Sequence, residues 1–323
     1  MKKRLISGIQ PSGIIHIGNY FGAIKQFVDL QNEYNASIFI ADLHALTTVH
    51  NKDILSKNIL AVAMDYLACG LDPENVVLFK QSDIPEVTEL TWYFNCLTPM
   101  PFLERATSYK DAHMKAKEVT VGLFDYPILM ASDILIQDAD IVPVGQDQKQ
   151  HIEYARDTAQ KFNNTFGETF KLPEAMILKN VAIVPGTDGR KMSKSYGNTI
   201  PLFGTDEEIK KAVMGIVTDS KTPEEPKDPD TCTLFALHSL FLNKDDLVTL
   251  RSRYTNGGLG YKESKDMLYE EIISFFGPLR EKRKTYENNP ELVKDILRKG
   301  AEKARMIVGA KMAIVREKVG VTI

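Results

Sequence analysis

A segment near the N-terminus carries residue types suited to binding phosphate. It reads Pro11-Ser-Gly-Ile-Ile-His-Ile-Gly-Asn19. Gly13 and Gly18 allow the backbone to come close to a nucleotide, because a Cβ would collide there. His16 and Asn19 are side chains that donate hydrogen bonds to phosphate oxygens, and a helix N-terminus would add its dipole. The alternative is a tight turn in which the histidine is structural.

A second segment, Lys191-Met-Ser-Lys-Ser195, supplies two cations. Asp188-Gly-Arg190 precedes it and Gly197 follows it, a composition that predicts a flexible loop. Lysines on such a loop are mobile cations that can stabilise negative charge on a bound group. The alternative is a solvated surface loop.

The elements that must position these segments alternate between strand and helix. This alternation is predicted from apolar and β-branched runs, which indicate strands, and from amphipathic spacing, which indicates helices. Gly70 is the kind of residue that ends a helix. The predicted strands are Arg4–Gln10, Ser37–Ala41, Val76–Phe79 and Ile141–Val144, and the predicted helices are Asn19–Leu30, Asp53–Cys69 and one from the last strand through Phe162. Such alternation predicts an α/β fold with a parallel, doubly wound sheet, whose ligands lie at the carboxyl ends of the strands.

The C-terminal part of the chain is predicted to be helical. Lys221–Asp230, with three prolines, is the clearest loop, and helices are predicted at Leu234–Leu242, Lys262–Phe276 and Glu291–Val319. In the last of these, Leu292, Ile296, Met312 and Val315 follow a period of 3.6. A chain of 323 residues is long for one hydrophobic core, so we expect a catalytic domain over residues 1–200 and a helical domain over 201–323.

Composition excludes some classes of protein. No apolar run approaches the roughly 18 residues that span a bilayer, and Lys2-Lys-Arg4 is followed by Ser7-Gly-Ile-Gln-Pro rather than by an apolar stretch. We therefore expect a cytoplasmic protein without membrane association. Three scattered cysteines predict reduced thiols, and the histidine spacing predicts no protein-held metal. The net charge of −3 gives no general argument for binding nucleic acid.

Together the two segments resemble the HIGH and KMSKS motifs of class I aminoacyl-tRNA synthetases. The surrounding sequence is similar to that of the bacterial tryptophanyl-tRNA synthetases over nearly the whole chain. The segments that carry this similarity are Ser7-Gly-Ile-Gln-Pro-Ser-Gly13, Asp125-Tyr-Pro-Ile-Leu-Met-Ala-Ser-Asp-Ile-Leu135 and Val144-Gly-Gln-Asp-Gln-Lys-Gln-His151. Asn19 stands where the general motif ends in histidine, as it does in the tryptophan branch.

The resemblance implies a Rossmann-like domain that binds ATP, with Mg²⁺ held mainly through the phosphates. His16 and Asn19 would bind phosphates, Lys191 and Lys194 would stabilise pyrophosphate, and Asp147 would accept from the ribose hydroxyls. The implied nucleotide-binding residues are Gln10, Pro11, Ser12, Gly18, Asn19, Gly145, Gln146, Asp147, Ile183, Lys191, Met192, Ser193, Lys194 and Ser195.

Asp133 is the residue expected to select the amino acid. It lies in an apolar helical run, where a carboxylate is costly without a partner, and its acceptor oxygens match the single N–H donor of indole. A helix-face aspartate paired to a lysine is the alternative. The other residues implied for the amino-acid pocket are Tyr126, Gln148, Met130, His44 and Ile6. A core role for Ile6 and Met130 fits the sequence equally well.

The resemblance also implies partners. The segment 99–124 would help to form a homodimer, and the helical domain would read the anticodon of tRNA(Trp). Basic clusters at Arg280–Lys284 and Lys294–Arg305 suit phosphate contacts, but their interleaved acidic residues equally suit a solvated helix face. Three other functions stay open at this point: a tyrosyl-tRNA synthetase, a small-molecule adenylyltransferase, and a non-catalytic RNA-binding relative.

Overall fold

Five parallel strands form one sheet at the centre of the molecule. A computed structural model describes residues 2–11, 13–106, 109, 119–145, 149–177 and 184–322. The strands are β1 (Arg4–Ile9), β2 (Asn35–Ile40), β3 (Val76–Lys80), β4 (Ile141–Val144) and β5 (Glu174–Ile177). Their order in the sheet is β3-β2-β1-β4-β5. This is a Rossmann-like, doubly wound arrangement, so the predicted fold class is confirmed.

The helices cover both faces of this sheet. In chain order they are α1 (Ile17–Asn19), α2 (Lys25–Leu30), α3 (Asp42–Ala45), α4 (Lys52–Ala68), α5 (Glu86–Asn95), α6 (Met100–Glu104), α7 (Val121–Ile136), α8 (Lys149–Phe166), α9 (Asp206–Met214), α10 (Thr233–His238), α11 (Lys244–Asn256), α12 (Tyr261–Glu287) and α13 (Pro290–Val319). A π-helical turn, Tyr20–Ile24, joins α1 to α2. Within the described residues, no helix combines the length and the apolar character that crossing a bilayer requires.

Strands β1 to β4 carry buried side chains, as a parallel sheet with helices on both sides requires, whereas none of the four residues of the edge strand β5 is buried. In β1 the side chain of Leu5 lies in one core cluster and that of Ile6 lies in another. The first cluster joins the sheet to α4, α9 and α12, and the second joins it to α5, α7, α8 and α13. All three cysteines, Cys69, Cys96 and Cys232, are free thiols.

The helical C-terminal region differs in detail from the sequence prediction. Two helices, α9 and α11, were not predicted, and α12 continues through Pro278 to Glu287 rather than ending at Phe276. Gly277 and Pro278 look like a stop signal in sequence, but the helix passes through them. The predicted apolar face of α13 was wrong at Leu292, which is 42% exposed, whereas Met312 and Val315 are fully buried.

The last helix, α13, lies directly on β3. At Gly300 a Cβ would overlap the backbone carbonyl oxygen of Leu78, so only glycine allows this close approach. Ala301, Ala304 and Val308 continue the contact as members of the second core cluster. The C-terminal helix therefore completes the core around the sheet, and the division of the chain after residue 200 remains a prediction.

We predict that Gly300→Ala lowers the free energy of unfolding by about 1–3 kcal/mol, because the helix must move away from the strand. The control is Gly309→Ala in the same helix, where a Cβ meets nothing within 4 Å. That variant should leave stability unchanged or raise it by up to about 1 kcal/mol, since alanine favours helix more than glycine does. Denaturant titration measures both values, and equal effects would contradict the proposed contact.

Candidate active site

The first motif follows the carboxyl end of β1. Gly13 has a φ of 105°, in the left-handed region that favours glycine, and turns the chain toward α1. His16 is the residue before α1, and its backbone N–H donates to Asn19 Oδ1 at 3.1 Å. Gln10 is exposed and Pro11 is buried at the base of this turn. Asn19 thus caps the helix start through its oxygen, while its Nδ2 is the group suited to a phosphate.

His16 is buried, and its Nδ1 has no hydrogen-bond partner among the described residues. Burial, and to a smaller extent the charge of Lys194, lowers the pKa of His16 to about 4. The ring is therefore neutral near pH 7. A buried ring nitrogen without a protein partner is a group that a bound ligand can satisfy.

The two motifs lie side by side in the structure. The two residues that join them by a hydrogen bond are 181 residues apart in the sequence. Lys194 Nζ donates to the carbonyl oxygen of Gly13 at 3.0 Å. A Cβ on Gly18 would lie 3.0 Å from His16 Nδ1 and 3.2 Å from Met192 Cβ. Glycine at residue 18 therefore allows the second motif to pack against the first. The structure thus brings together His16, Gly18 and Lys194, as the sequence predicted.

The second motif is one side of a hairpin rather than an unsupported loop. Met192 N–H donates to Val184 O at 2.9 Å, and Lys191 pairs with Pro185 across the hairpin. The side chain of Met192 is buried in the first core cluster, so it anchors the loop. The side chain of Lys191 is exposed.

Asn198, which the sequence analysis missed, braces this hairpin from inside. It is 2% exposed, and its Oδ1 accepts from Ser193 N–H at 2.8 Å. Its Nδ2 donates to Asp188 Oδ1 at 2.7 Å and to Lys191 O at 3.2 Å. These hydrogen bonds also hold the pKa of the Asp188 carboxyl below its ordinary value. The Ser193 and Ser195 hydroxyls bond each other at 2.9 Å on the exposed side.

A buried carboxylate forms the second part of the site. Asp133 on α7 is 3% exposed, and Gln81 Nε2 donates to both of its oxygens at 2.9 and 2.8 Å. His44 Nε2 lies 3.0 Å from Asp133 Oδ2. Burial raises the pKa of Asp133, and the hydrogen bonds from His44 and Gln81 oppose that rise. The partners of Asp133 are thus a histidine and a glutamine rather than the lysine considered as the alternative.

Gln81, also missed in the sequence analysis, links three elements. It follows the carboxyl end of β3, and its Oε1 accepts from the backbone N–H groups of Leu43 and His44 at the start of α3. Asp42 strengthens the same junction, since its carboxylate accepts from the N–H and the hydroxyl of Ser82. No feature of the sequence distinguishes Gln81 from an ordinary loop residue.

The wall beside Asp133 is aromatic and apolar. The Tyr126 hydroxyl lies 2.9 Å from His151 Nε2, and its ring meets that of His44 edge to face at 6.2 Å. Ile6 is fully buried in the second core cluster, and Met130 is half-buried against it.

Gly145 follows the end of β4 and is half-buried. The predicted site residues Ser12, Gln146, Asp147, Gln148 and Ile183 lie outside the described residues.

The arrangement joins two kinds of recognition at one edge of the sheet. A neutral histidine and a lysine surround the turn after β1, where an anionic phosphate would be stabilised. A buried carboxylate with fixed orientation lies near the ends of β2 and β3, where it would accept from a donor on a mostly apolar ligand. Among the described residues, no group of three or more histidine, cysteine, aspartate or glutamate side chains could hold a metal ion.

Comparison with known proteins agrees with this geometry. The family model of the class I tRNA synthetases (W and Y) matches residues 2–277. The chain belongs to this family. It is therefore an aminoacyl-tRNA synthetase, and the family resemblance drawn from the two motifs is confirmed.

The most informative relatives are bacterial. The chain is 52% identical to the tryptophan–tRNA ligase of Fusobacterium nucleatum over 319 residues, which cover 98% of each chain. It is 50% identical to that of Rhodopirellula baltica, over 98% of this chain and 99% of the relative. A crystal structure of Campylobacter jejuni tryptophanyl-tRNA synthetase, complexed with ADP and tryptophan, has a TM-score of 0.94 at 48% identity and covers 98% of this chain and 99% of that one.

We predict that replacing Lys194 by methionine raises the pKa of His16 above about 4, because the neighbouring charge is removed. The pKa should stay below 6.5, since burial is the larger cause. NMR titration of the imidazole, assigned with His16→Gln, measures the shift. Lys191→Met is the control, because that exposed lysine lies in the same motif. An equal shift in both variants would contradict the specific contact.

The same pKa predicts how stability depends on pH. The pKa of His16 is about 4 in the folded protein and about 6.5 when the chain is unfolded, so the unfolded state binds more protons between these values. The free energy of unfolding should therefore fall as the pH falls from about 6.5 to about 4. In His16→Gln this loss should be smaller, as denaturant titration at several pH values would show. An unchanged slope would contradict the assignment.

Proposed function

We propose that this chain is a tryptophan–tRNA ligase. It activates L-tryptophan with ATP to tryptophanyl-adenylate and then transfers the amino acid to the 2′-hydroxyl of the terminal adenosine of tRNA(Trp). The observation that carries the proposal is the convergence of the two motifs and a clamped, buried Asp133 at one edge of the sheet. The activity of relatives that are 43–52% identical over nearly all of this chain supports it.

Activation of the carboxylate needs positioning and charge stabilisation rather than a covalent intermediate on the protein. Tryptophan's carboxylate attacks the α-phosphorus of ATP, the bond to the pyrophosphate oxygen breaks, and pyrophosphate leaves. Neutral His16 and the Nδ2 of Asn19 would donate to phosphate oxygens without adding charge. Lys194 and Lys191 would stabilise the departing pyrophosphate, and Mg²⁺ would be bound through the phosphates of ATP.

Selection of tryptophan is assigned to Asp133. Its oxygens would accept the indole N–H, and the hydrogen bonds from Gln81 and His44 hold the carboxylate in one orientation. A site that hydrogen-bonds its substrate rejects analogues that lack the group, because the buried polar atom would then lose its partner. Tryptophan bound in the Campylobacter jejuni relative supports this choice over tyrosine. A tyrosyl-tRNA synthetase structure at 19% identity shares the fold alone.

A homodimer belongs to the proposal because an apolar surface lies beside the segment 99–124. Trp92 on α5, Met100 on α6 and Val121 on α7 are 67%, 60% and 81% exposed. Helices α5 and α6 each pack against α7, so the three side chains lie on neighbouring helices. Burying such residues against a second copy would stabilise a dimer.

Most of the basic residues considered for tRNA contact form ion pairs with neighbouring acidic side chains. In the first basic cluster Arg280 pairs with Asp206, and Arg283 pairs with Asp65 and Glu287. In the second cluster Arg298 is within 2.9 Å of Asp295 on the same helix. Ion pairing of this kind supports the solvated-face alternative for most of these residues. The exposed Lys299 and Lys303 on α13 are the better candidates for phosphate contacts.

A cytoplasmic location follows from the proposed function.

We predict that Asp133→Asn lowers kcat/KM for tryptophan about 10²-fold in ATP–pyrophosphate exchange, because the amide cannot accept from both Gln81 and indole as the carboxylate does. Ser132→Ala is the control, since this neighbouring buried hydroxyl accepts from the Thr91 hydroxyl on α5 and donates to the backbone carbonyl oxygen of Ile128. Exchange with tyrosine is measured in parallel. Tyrosine-dependent exchange by the wild type would overturn the proposed substrate.

We also predict that Asn198→Ala lowers kcat while leaving the KM for tryptophan nearly unchanged. The side chain holds the lysine hairpin, which acts on ATP rather than on the amino acid. We expect a loss of about 10–10²-fold, somewhat less than that for deleting a charged donor. Thr199→Ala, the next residue, is the control. A rise in the KM for tryptophan at constant kcat would contradict this role.

A further inference from the structure

The hydrogen bond between Tyr126 and His151 joins two helices beside Asp133. The Tyr126 hydroxyl oxygen on α7 lies 2.9 Å from His151 Nε2 on α8, and the two rings meet edge to face with centroids 5.8 Å apart. Helices α7 and α8 pack against each other, and both side chains are only half-buried, so a ligand can approach them. His151 is thus in direct contact with a side chain of the proposed amino-acid pocket.

Tyr126 and Asp133 face the same side of α7. They are seven residues apart, which is two helical turns and about 10 Å along the helix axis. Both side chains reach His44, since its Nε2 lies 3.0 Å from Asp133 Oδ2 and its ring meets that of Tyr126 edge to face. A ligand whose ring N–H donates to Asp133 therefore extends along this face of α7 toward the Tyr126 hydroxyl.

The proposed reaction assigns a direction to each polar end of tryptophan. The indole N–H faces Asp133, and the carboxylate must face the phosphate-binding turn around His16, because it attacks the α-phosphorus there. The α-ammonium is the third polar end. Like the lysine ammonium, it has donors and no lone pair, so it needs an acceptor. The Tyr126 hydroxyl oxygen is an acceptor on the wall where this group would lie.

A tyrosine hydroxyl has one proton and two lone pairs, so the direction of the proton decides what it offers to a ligand. A histidine ring nitrogen accepts in one tautomer and donates in the other. We propose that His151 is a positioning residue, whose unprotonated Nε2 accepts the Tyr126 proton and leaves the hydroxyl lone pairs facing the substrate's ammonium. This role rests on the proposed tryptophan ligase activity. With a proton on Nε2, the hydroxyl proton would face the ammonium, and two donors would meet.

Two ligands separate the contribution of the ammonium from that of the rest of the substrate. Tryptophan carries the ammonium, whereas indolepropionate has the same ring and carboxylate without it. Calorimetric titration of the full-length protein gives the Kd of each ligand without any reaction. In His151→Leu, which removes the acceptor nitrogen, tryptophan should bind about ten-fold more weakly. The Kd of indolepropionate should stay unchanged, which also shows that the pocket is intact.

Three further variants test whether His151 acts through the Tyr126 hydroxyl. His151→Gln should recover most of the affinity for tryptophan, because its amide oxygen can accept the same proton. In the Tyr126→Phe background, His151→Leu should cause no further loss, since the hydroxyl that it directs is absent. Gln160→Leu is the matched control, because it replaces an exposed polar side chain on the same helix, and it should leave both Kd values unchanged.

Nitrogen NMR of the tryptophan complex reports the tautomer directly. His151 Nε2 should give the signal of an unprotonated ring nitrogen. A protonated Nε2, an equal loss of tryptophan affinity in the Tyr126→Phe background, or an equal weakening of indolepropionate would each overturn the role of His151 alone. A wild type that does not bind tryptophan would overturn the proposed function itself, and the role of His151 with it.

Discussion

The cost of burying the Asp133 carboxylate is the constraint around which the site is organised. Water no longer solvates this group, so the protein must supply its hydrogen bonds. Gln81 and His44 supply them, and Gln81 also binds the backbone at the start of α3. The ends of β2 and β3 are thereby tied to α7. The hydrogen bonds that the buried Asp133 carboxylate needs thus help to fix α7 relative to the carboxyl ends of β2 and β3.

The phosphate side depends instead on apolar packing. Met192 is at once part of the second motif and part of the first core cluster, and the absence of a side chain on Gly18 lets it approach the first motif. Lys194 then reaches the turn at Gly13. Because the core positions the hairpin, apolar packing also holds Lys194 near the turn. Such preorganisation is what electrostatic catalysis requires.

Sequence reasoning predicted most of the fold, and it supplied the main candidate site residues, because both leave strong local signals. Strand–helix alternation predicted the parallel sheet, and glycine, histidine and lysine spacing predicted the two motifs. Helix α9 was missed although Thr205 and Glu208 form a capping box, a signal that sequence alone contains. Gln81 and Asn198 could not be predicted, since their roles arise only when distant segments meet. The exposure of Leu292 likewise depends on how α13 lies against β3.

The position of α13 has a consequence for synthesis of the chain. This helix ends at Val319 and covers β3, a strand made more than 200 residues earlier. During translation the face of the sheet that α13 covers therefore stays incomplete until this helix has left the ribosome. Contacts between such distant segments form slowly, and exposed apolar strands are prone to aggregation. The nascent chain is thus most vulnerable after its five strands have been made and before α13 has been made.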